Sequence, residues 1–186
     1  MSKMNPKISI LFIAVFAIAM SRLMPHWPNF TAVGAAAIFG GATIRKSWVA
    51  ILIPLSAIFV SDLIINNLFY SAYYDGFVLF GASASWIYAG FILMTVMAHF
   101  SIKSFKSLPI IGTAVAGSTI FFVLTNFGAW IGNPLYTQDA AGLLMAYEAG
   151  LPFVLNSMFA NVLFSGMLFG AYYVALEQKT EWLFVK

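Results

Sequence analysis

Six apolar runs, parted by short breaks, constrain this chain more than any other feature. They are Ile8–Met24, Phe30–Ile44, Trp48–Ile65, Phe77–Phe100, Leu108–Ile131 and Pro152–Leu176. An α-helix needs about 20 apolar residues to cross a hydrocarbon core about 30 Å thick. The last three runs exceed that with room for tilt, and the third is adequate. The first two count 17 and 15 residues and read as short spans. A thin hairpin or partly re-entrant pair is the alternative, because broken helix at membrane depth persists only against protein or a wet cavity. Composition agrees. The chain is 62% hydrophobic and 8% charged, with a mean hydropathy of +0.92, whereas a soluble domain carries about 25% charged residues. So few charges cannot cover a soluble surface, which excludes a cytosolic globular enzyme, a disordered tail and a secreted scaffold. The expected fold class is all-α: a polytopic membrane protein whose residues 1–186 form a single integral membrane domain of six transmembrane helices.

The basic residues orient that bundle. Lys3 and Lys7 precede the first run, Arg45 and Lys46 follow the second, Lys103 and Lys106 the fourth, and Lys179 and Lys186 the sixth. Six spans put these eight of the nine basic residues on one side, leaving only Arg22 on the other. One span more or fewer would scatter them. The positive-inside rule makes that side the cytoplasm and predicts a multi-pass protein of the inner (cytoplasmic) membrane with both termini inside. The net charge of +3 forms no basic stripe, so nucleic acid is excluded as a partner. Lys3, Lys7, the apolar run and Ala17-Ile18-Ala19 also resemble a signal peptide. The second apolar run follows so closely that the segment is expected to stay as the first span.

Polar residues inside the spans then need a reason. An ionisable group in the membrane costs at least about 2.5–3.5 kcal/mol on insertion scales. Arg22 and Asp62 fall near the outer ends of spans one and three, at similar depth, where a charge-assisted pair would lower the cost of both. The pair either lines an outward pocket or clasps two spans together. In the first outer loop, Pro25 and Pro28 fix the backbone, and Asn29 or Thr31 can cap span two. Trp27 and Phe30 there either cover a ligand or anchor the interface. Asn126 and Asn156 should face the bundle interior, binding a polar solute stacked on Trp130 or Phe127, or bonding between helices. The candidate substrate-binding residues are therefore Arg22, Trp27, Asn29, Phe30, Asp62, Asn126, Trp130 and Asn156. Gly132–Leu151, punctuated by Gly and Pro at both ends, reads as an ordered outer loop in which Tyr136, Asp139, Tyr147 and Glu148 form a solvated rim or a lid.

Other signals are negative or concern packing. Ala32, Ala36 and Gly40 in span two, and Gly166 and Gly170 in span six, have the four-residue spacing that lets helices approach, within the bundle or against a partner. The absence of cysteine removes disulfides, thiolate metal sites and a thiol nucleophile. His26 and His99 belong to opposite sides and cannot share a metal. No phosphate loop, zinc-protease helix motif, nucleophile elbow or paired intramembrane carboxylate occurs, so no enzyme, metal or cofactor is expected.

Four stretches carry a resemblance: Ser21–Ala35, Ser61-Asp62-Leu63, Leu124–Gly128 and Ala149–Phe153. Together they look like a bacterial family of small six-span membrane proteins of unassigned function. That family in turn resembles the substrate-binding S components of energy-coupling factor vitamin transporters. The resemblance implies a vitamin-like solute in an outward cavity, and toppling against an energising module of a transmembrane coupling protein and ATPases. Two departures stand out. The AxxxA docking motif of S-component first spans is missing here, and so is the cobalt-ligating cysteine of one cobalamin group. The expected partners are the lipid bilayer, a small-molecule ligand and an energising or larger membrane complex. The rival expectation is a non-enzymatic accessory subunit of a larger membrane complex.

Overall fold

The computed structural model describes residues 16–44 and 46–177. The first eight residues of the predicted first span, with Lys3, Lys7, Arg45, Lys179 and Lys186, lie outside the described residues. Among those described there are helices and no strand. A helix covers residues 16–23 (α1), followed by α2 (Val33–Thr43) and α3 (Ser47–Ile64). The last runs on into a π-helical turn at Ile65–Phe69 and a 3-10 turn at Ser71–Tyr73. Then come α4 (Ala84–Ser101), α5 (Ser107–Trp130) and α6 (Ala140–Glu177).

Among the described residues, four stretches are long and apolar enough to cross a membrane: Ser47–Phe69, Ala84–Ser101, Ser107–Trp130 and Ala140–Val174. In each, only 28% of the most apolar window is buried inside the protein. Helices that are apolar all round yet mostly uncovered belong in lipid. α2 is different. It is a shorter apolar helix of 11 residues, roughly 16 Å long, and eight of its residues are buried. Its small side chains explain this, because Gly and Ala let α3, α4 and α6 close around it. A Cβ on Gly40 would sit 3.3 Å from the Ala50 carbonyl, and one on Gly41 would collide with the backbone of Thr95.

Two boundaries differ from those read off hydropathy. The predicted fourth span begins at Phe77, but α4 starts at Ala84. Asn67 explains the delay. Its Oδ1 accepts from the Val78 amide at 2.7 Å and its Nδ2 donates to the Val78 carbonyl at 2.8 Å. The apolar strip around Val78 is thereby strapped to the π turn, and its backbone groups are taken. The predicted sixth span begins at Pro152, but α6 starts twelve residues earlier, at Ala140, with Pro152 inside it. Asp139 caps this start, its Oδ1 accepting from the Gly142 amide at 2.9 Å. Ala, Leu, Met and Glu then carry the helix up to the proline. Most of the expected Gly132–Leu151 loop is therefore helix.

The packed core lies towards the end where α2 and α4 finish and α5 begins. Ala37, Ile38, Met94, Ala98, Ile102, Ile110, Ala114 and Phe169 form one buried cluster. Phe39, Phe105 and Tyr172 meet Phe169 or one another edge-on or tilted, with ring centroids 5.1–5.7 Å apart. Lys46, Lys103 and Lys106 are all at this end, in or beside the connections α2–α3 and α4–α5.

Candidate functional site

At the opposite end, α1, α3 and α5 finish while α2 and α4 begin. Because α2 starts only at Val33, no helix fills the upper half of the space it would otherwise occupy. The chain from Met24 to Ala32 crosses above it instead. Pro28 and Asn29 make the corner of a turn closed by the Phe30 amide on the Trp27 carbonyl at 2.9 Å. Asn29 has φ +60°, the left-handed value that a type II turn requires at that position and that Asn tolerates. Neither Asn29 nor Thr31 caps α2, whose N-cap is Ala32 with no side-chain bond.

Beneath this loop is a cavity of about 370 Å³. Its floor is the start of α2, with Val33 and Gly34; its walls include Ile58, Phe91, Met94 and Phe121. Arg22, His26, Asn29, Thr31, Tyr70, Thr125, Ser157 and Asn161 supply the polar lining. Arg22 is fixed by α3: its Nη1 donates to Asp62 Oδ1 at 2.6 Å, Ser61 Oγ at 2.5 Å and the Ile58 carbonyl at 3.3 Å. The two charged side chains are 23% and 18% exposed, so the pair is largely withdrawn from water. Ser61, fully buried, hands its own proton back to the carbonyls of Ala57 and Ile58. His26 sits over Arg22, with Nδ1 2.8 Å from the Trp27 carbonyl and Nε2 3.2 Å from the Arg22 carbonyl.

The candidates named from sequence thus divide. Arg22 and Asn29 line the cavity, and Asp62 holds Arg22 in place. Trp27 is exposed and meets Phe30 edge-on at 5.9 Å. Phe30 packs on Phe159 and Phe164 of α6 at 5.8 and 5.6 Å. Asn156 donates to the Pro28 carbonyl at 3.0 Å, so these residues fasten the loop to α6 and do not line the cavity. Asn126 donates to the Phe122 carbonyl on its own helix and packs onto Gly150, where a Cβ would strike its carboxamide. Trp130 donates to the Thr137 carbonyl at 2.9 Å and braces the α5–α6 connection. These two residues stand between α5 and α6.

Asn161, a polar residue of the sixth apolar run, is not among the candidates chosen from sequence. It is 2% exposed, donates from Nδ2 to Ser118 Oγ at 2.8 Å, and packs against Gly34, where any Cβ would overlap it. An Asn opposite a Gly in apolar helices was the available signal. Of the four loop residues read as a solvated rim or a lid, Tyr147 donates to the Val123 carbonyl on α5, and Asp139 caps α6. The Gly142 amide and the Thr137 hydroxyl hold the Asp139 carboxyl below its ordinary pKa. Among the described residues, no three of His, Asp and Glu come together as metal ligands.

No curated protein and no solved structure matches the chain. One family model does, over residues 2–183, under the description "Family of unknown function (DUF6580)". Covering nearly the whole length, this match identifies the chain as a member of that family.

Proposed function

We propose that the protein is a six-span component of the cytoplasmic membrane that binds a small, vitamin-like solute for uptake, as S components of energy-coupling factor transporters do. The observation that carries the reading is the cavity under the Met24–Ala32 loop, with an ion-paired arginine in its wall. Its volume of about 370 Å³ suits a small metabolite, ligand cavities spanning about 300–1,000 Å³. Holding Arg22 and Asp62 away from water is worthwhile where a solute meets them. Orientation follows from charge: Lys46, Lys103 and Lys106 gather at the end away from the cavity, which the positive-inside rule assigns to the cytoplasm. The cavity then faces outward. α1 ends and α2 begins at the cavity end, and α2 finishes at the basic end, as six spans require.

The test is mass spectrometry of small molecules retained by the detergent-purified full chain, with Ser157→Phe as the cavity-filling variant. A stoichiometric solute in the parent that disappears in the variant is the expected result. No solute in the parent, under gentle purification, overturns the reading.

One observation favours a second reading, the accessory subunit. A Cβ added at Gly166 or Gly170 of α6 would meet nothing within 4 Å, so among the described residues nothing packs on this GxxxG face. A protein recovered in fixed ratio without any solute, and lost in Gly166→Leu, would support that reading.

A further inference from the structure

We infer that the ligand of this cavity is a monocarboxylate with a flat apolar body, its charge bound at the free edge of the Arg22 guanidinium over the start of α2. The inference rests on the binding reading above and deepens it. All three bonds of Arg22 leave from Nη1. Among the described residues, its Nε and Nη2 have no partner. That leaves the side-on pair of N–H groups, the fork that matches a carboxylate in two parallel bonds, at a residue lining the cavity. Asp62 and Ser61 hold the other edge, so the fork is pre-oriented and little freedom is lost when a ligand arrives.

The cavity floor adds to this. α2 has no side-chain cap and no acidic residue in its first turn, and its first residues, Val33 and Gly34, line the cavity. An uncapped helix start offers free N–H groups and the positive end of the helix dipole to an anion. No Asp or Glu lines the cavity. A cation would therefore meet the free edge of Arg22 and a helix start, with the Asp62 carboxylate already engaged on the other edge of the guanidinium. A dianion would set two negative charges beside the Asp62 carboxylate, which already neutralises Arg22. One negative charge is the best match.

The rest of the lining describes the ligand's body. Phe91 and Phe121 meet at 4.6 Å between ring centroids, and Met94, 1% exposed, lies on the same wall. Rings and a thioether make a surface for a flat apolar group. Asn161 provides a second polar point. Its Nδ2 is taken by Ser118, while its Oδ1 receives no donor among the described residues, although the side chain lines the cavity and is 98% withdrawn from solvent (2% exposed). An acceptor in that state calls for an N–H or O–H on the ligand.

The experiment is titration calorimetry on the detergent-purified full chain with matched pairs: benzoate, nicotinate and indole-3-carboxylate, each against its primary amide, plus phenyl phosphate. At least one acid is expected to bind, with its amide at least tenfold weaker and phenyl phosphate weaker than benzoate. Arg22→Lys, which keeps the charge beside Asp62 but loses the fork, should weaken the acid at least tenfold and narrow its advantage over the amide. The acid–amide ratio is read on the unaltered protein, so the inference is tested even where the variant fails to fold. Amides binding as well as acids, tighter phenyl phosphate binding, or no binding by any acid overturns the carboxylate assignment. A solute retained in the mass-spectrometric test would then still uphold the cavity. An empty preparation there removes the binding reading itself.

Discussion

The two ends of the bundle are built on opposite terms. At the basic end, α2 lies among α3, α4 and α6 with alanine and glycine at the contacts, and Ala37, Ala98 and Ala114 are wholly buried. Backbones come so close there that Gly41 has no room for a methyl group. At the other end α2 has not yet begun, and a loop, an ion pair and side-chain amides hold the helices around a void. One short helix is responsible for both conditions: where it is present the packing is tight, and where it is missing there is a cavity. The lesson is that the length of an apolar segment, more than its hydropathy, decides where a helical bundle leaves a cavity.

This contrast can be broken by substitution. Gly41→Ala attacks the tight end. Its Cβ meets the Thr95 carbonyl, and backbone cannot rotate away as a side chain can, so a loss of about 3 kcal/mol or more is expected. Thermal unfolding in detergent measures it, and an unchanged midpoint would show that the end is looser than described. Asp62→Ala attacks the hollow end by leaving Arg22 without its counter-charge. The expected loss is about 2–3 kcal/mol, below that for a fully buried pair because both groups keep some exposure. Arg22→Leu with Asp62→Ala should recover most of that stability while abolishing retention of the solute. If the double variant is as unstable as the single one, packing and not charge holds this end.

Ser165 sharpens the comparison from α6. It is fully buried and its hydroxyl has no hydrogen-bond partner among the described residues. Ser165→Ala should raise stability by about 1 kcal/mol, and a fall instead would mean that the hydroxyl is bonded when the protein is in a membrane. The smallest effect belongs to Asp139→Ala, outside the tight and hollow ends alike. Its native carboxyl is held below the ordinary value of 3.8, so the cap contributes fully above that pH and fades as pH falls through the lowered native value. The parent should therefore melt slightly above the variant at pH 7, and the difference should close in acid below about pH 3.8. A difference that persists there would contradict the capping role.

Hydropathy made the helices of α3 and α5 legible almost to the residue, since Trp48–Ile65 and Leu108–Ile131 are bounded by polar breaks on both sides. It misjudged α4 because a strip around Val78 is apolar yet tied by Asn67, a contact no periodicity reveals. It misjudged α6 because Pro152 was given the force of a boundary, when the helix formers before it and the Asp139 cap outweigh one missing amide. For the site, Arg22 with Asp62 was readable from cost alone: charges at equal depth in apolar segments need each other. Asn126 and Asn156 were readable as needing hydrogen-bond partners but not as bonded to backbone, because an amide that satisfies a carbonyl and one that awaits a solute look alike in sequence. Asn161 was left off the candidate list for the same reason.

At 1.5 Å of rise per residue, the 38 residues of α6 make a rod of roughly 57 Å. Even at a 40° lean, the steep end of what spanning helices adopt, it advances roughly 44 Å along the membrane normal against about 30 Å of hydrocarbon. Several turns must therefore lie outside the hydrocarbon core, and Glu148, exposed in its first third, marks the section fit to be wetted. Whatever approaches from that side meets this stretch of α6 before it meets the acyl chains, which gives the molecule a handle in the headgroup layer that the bundle itself does not use.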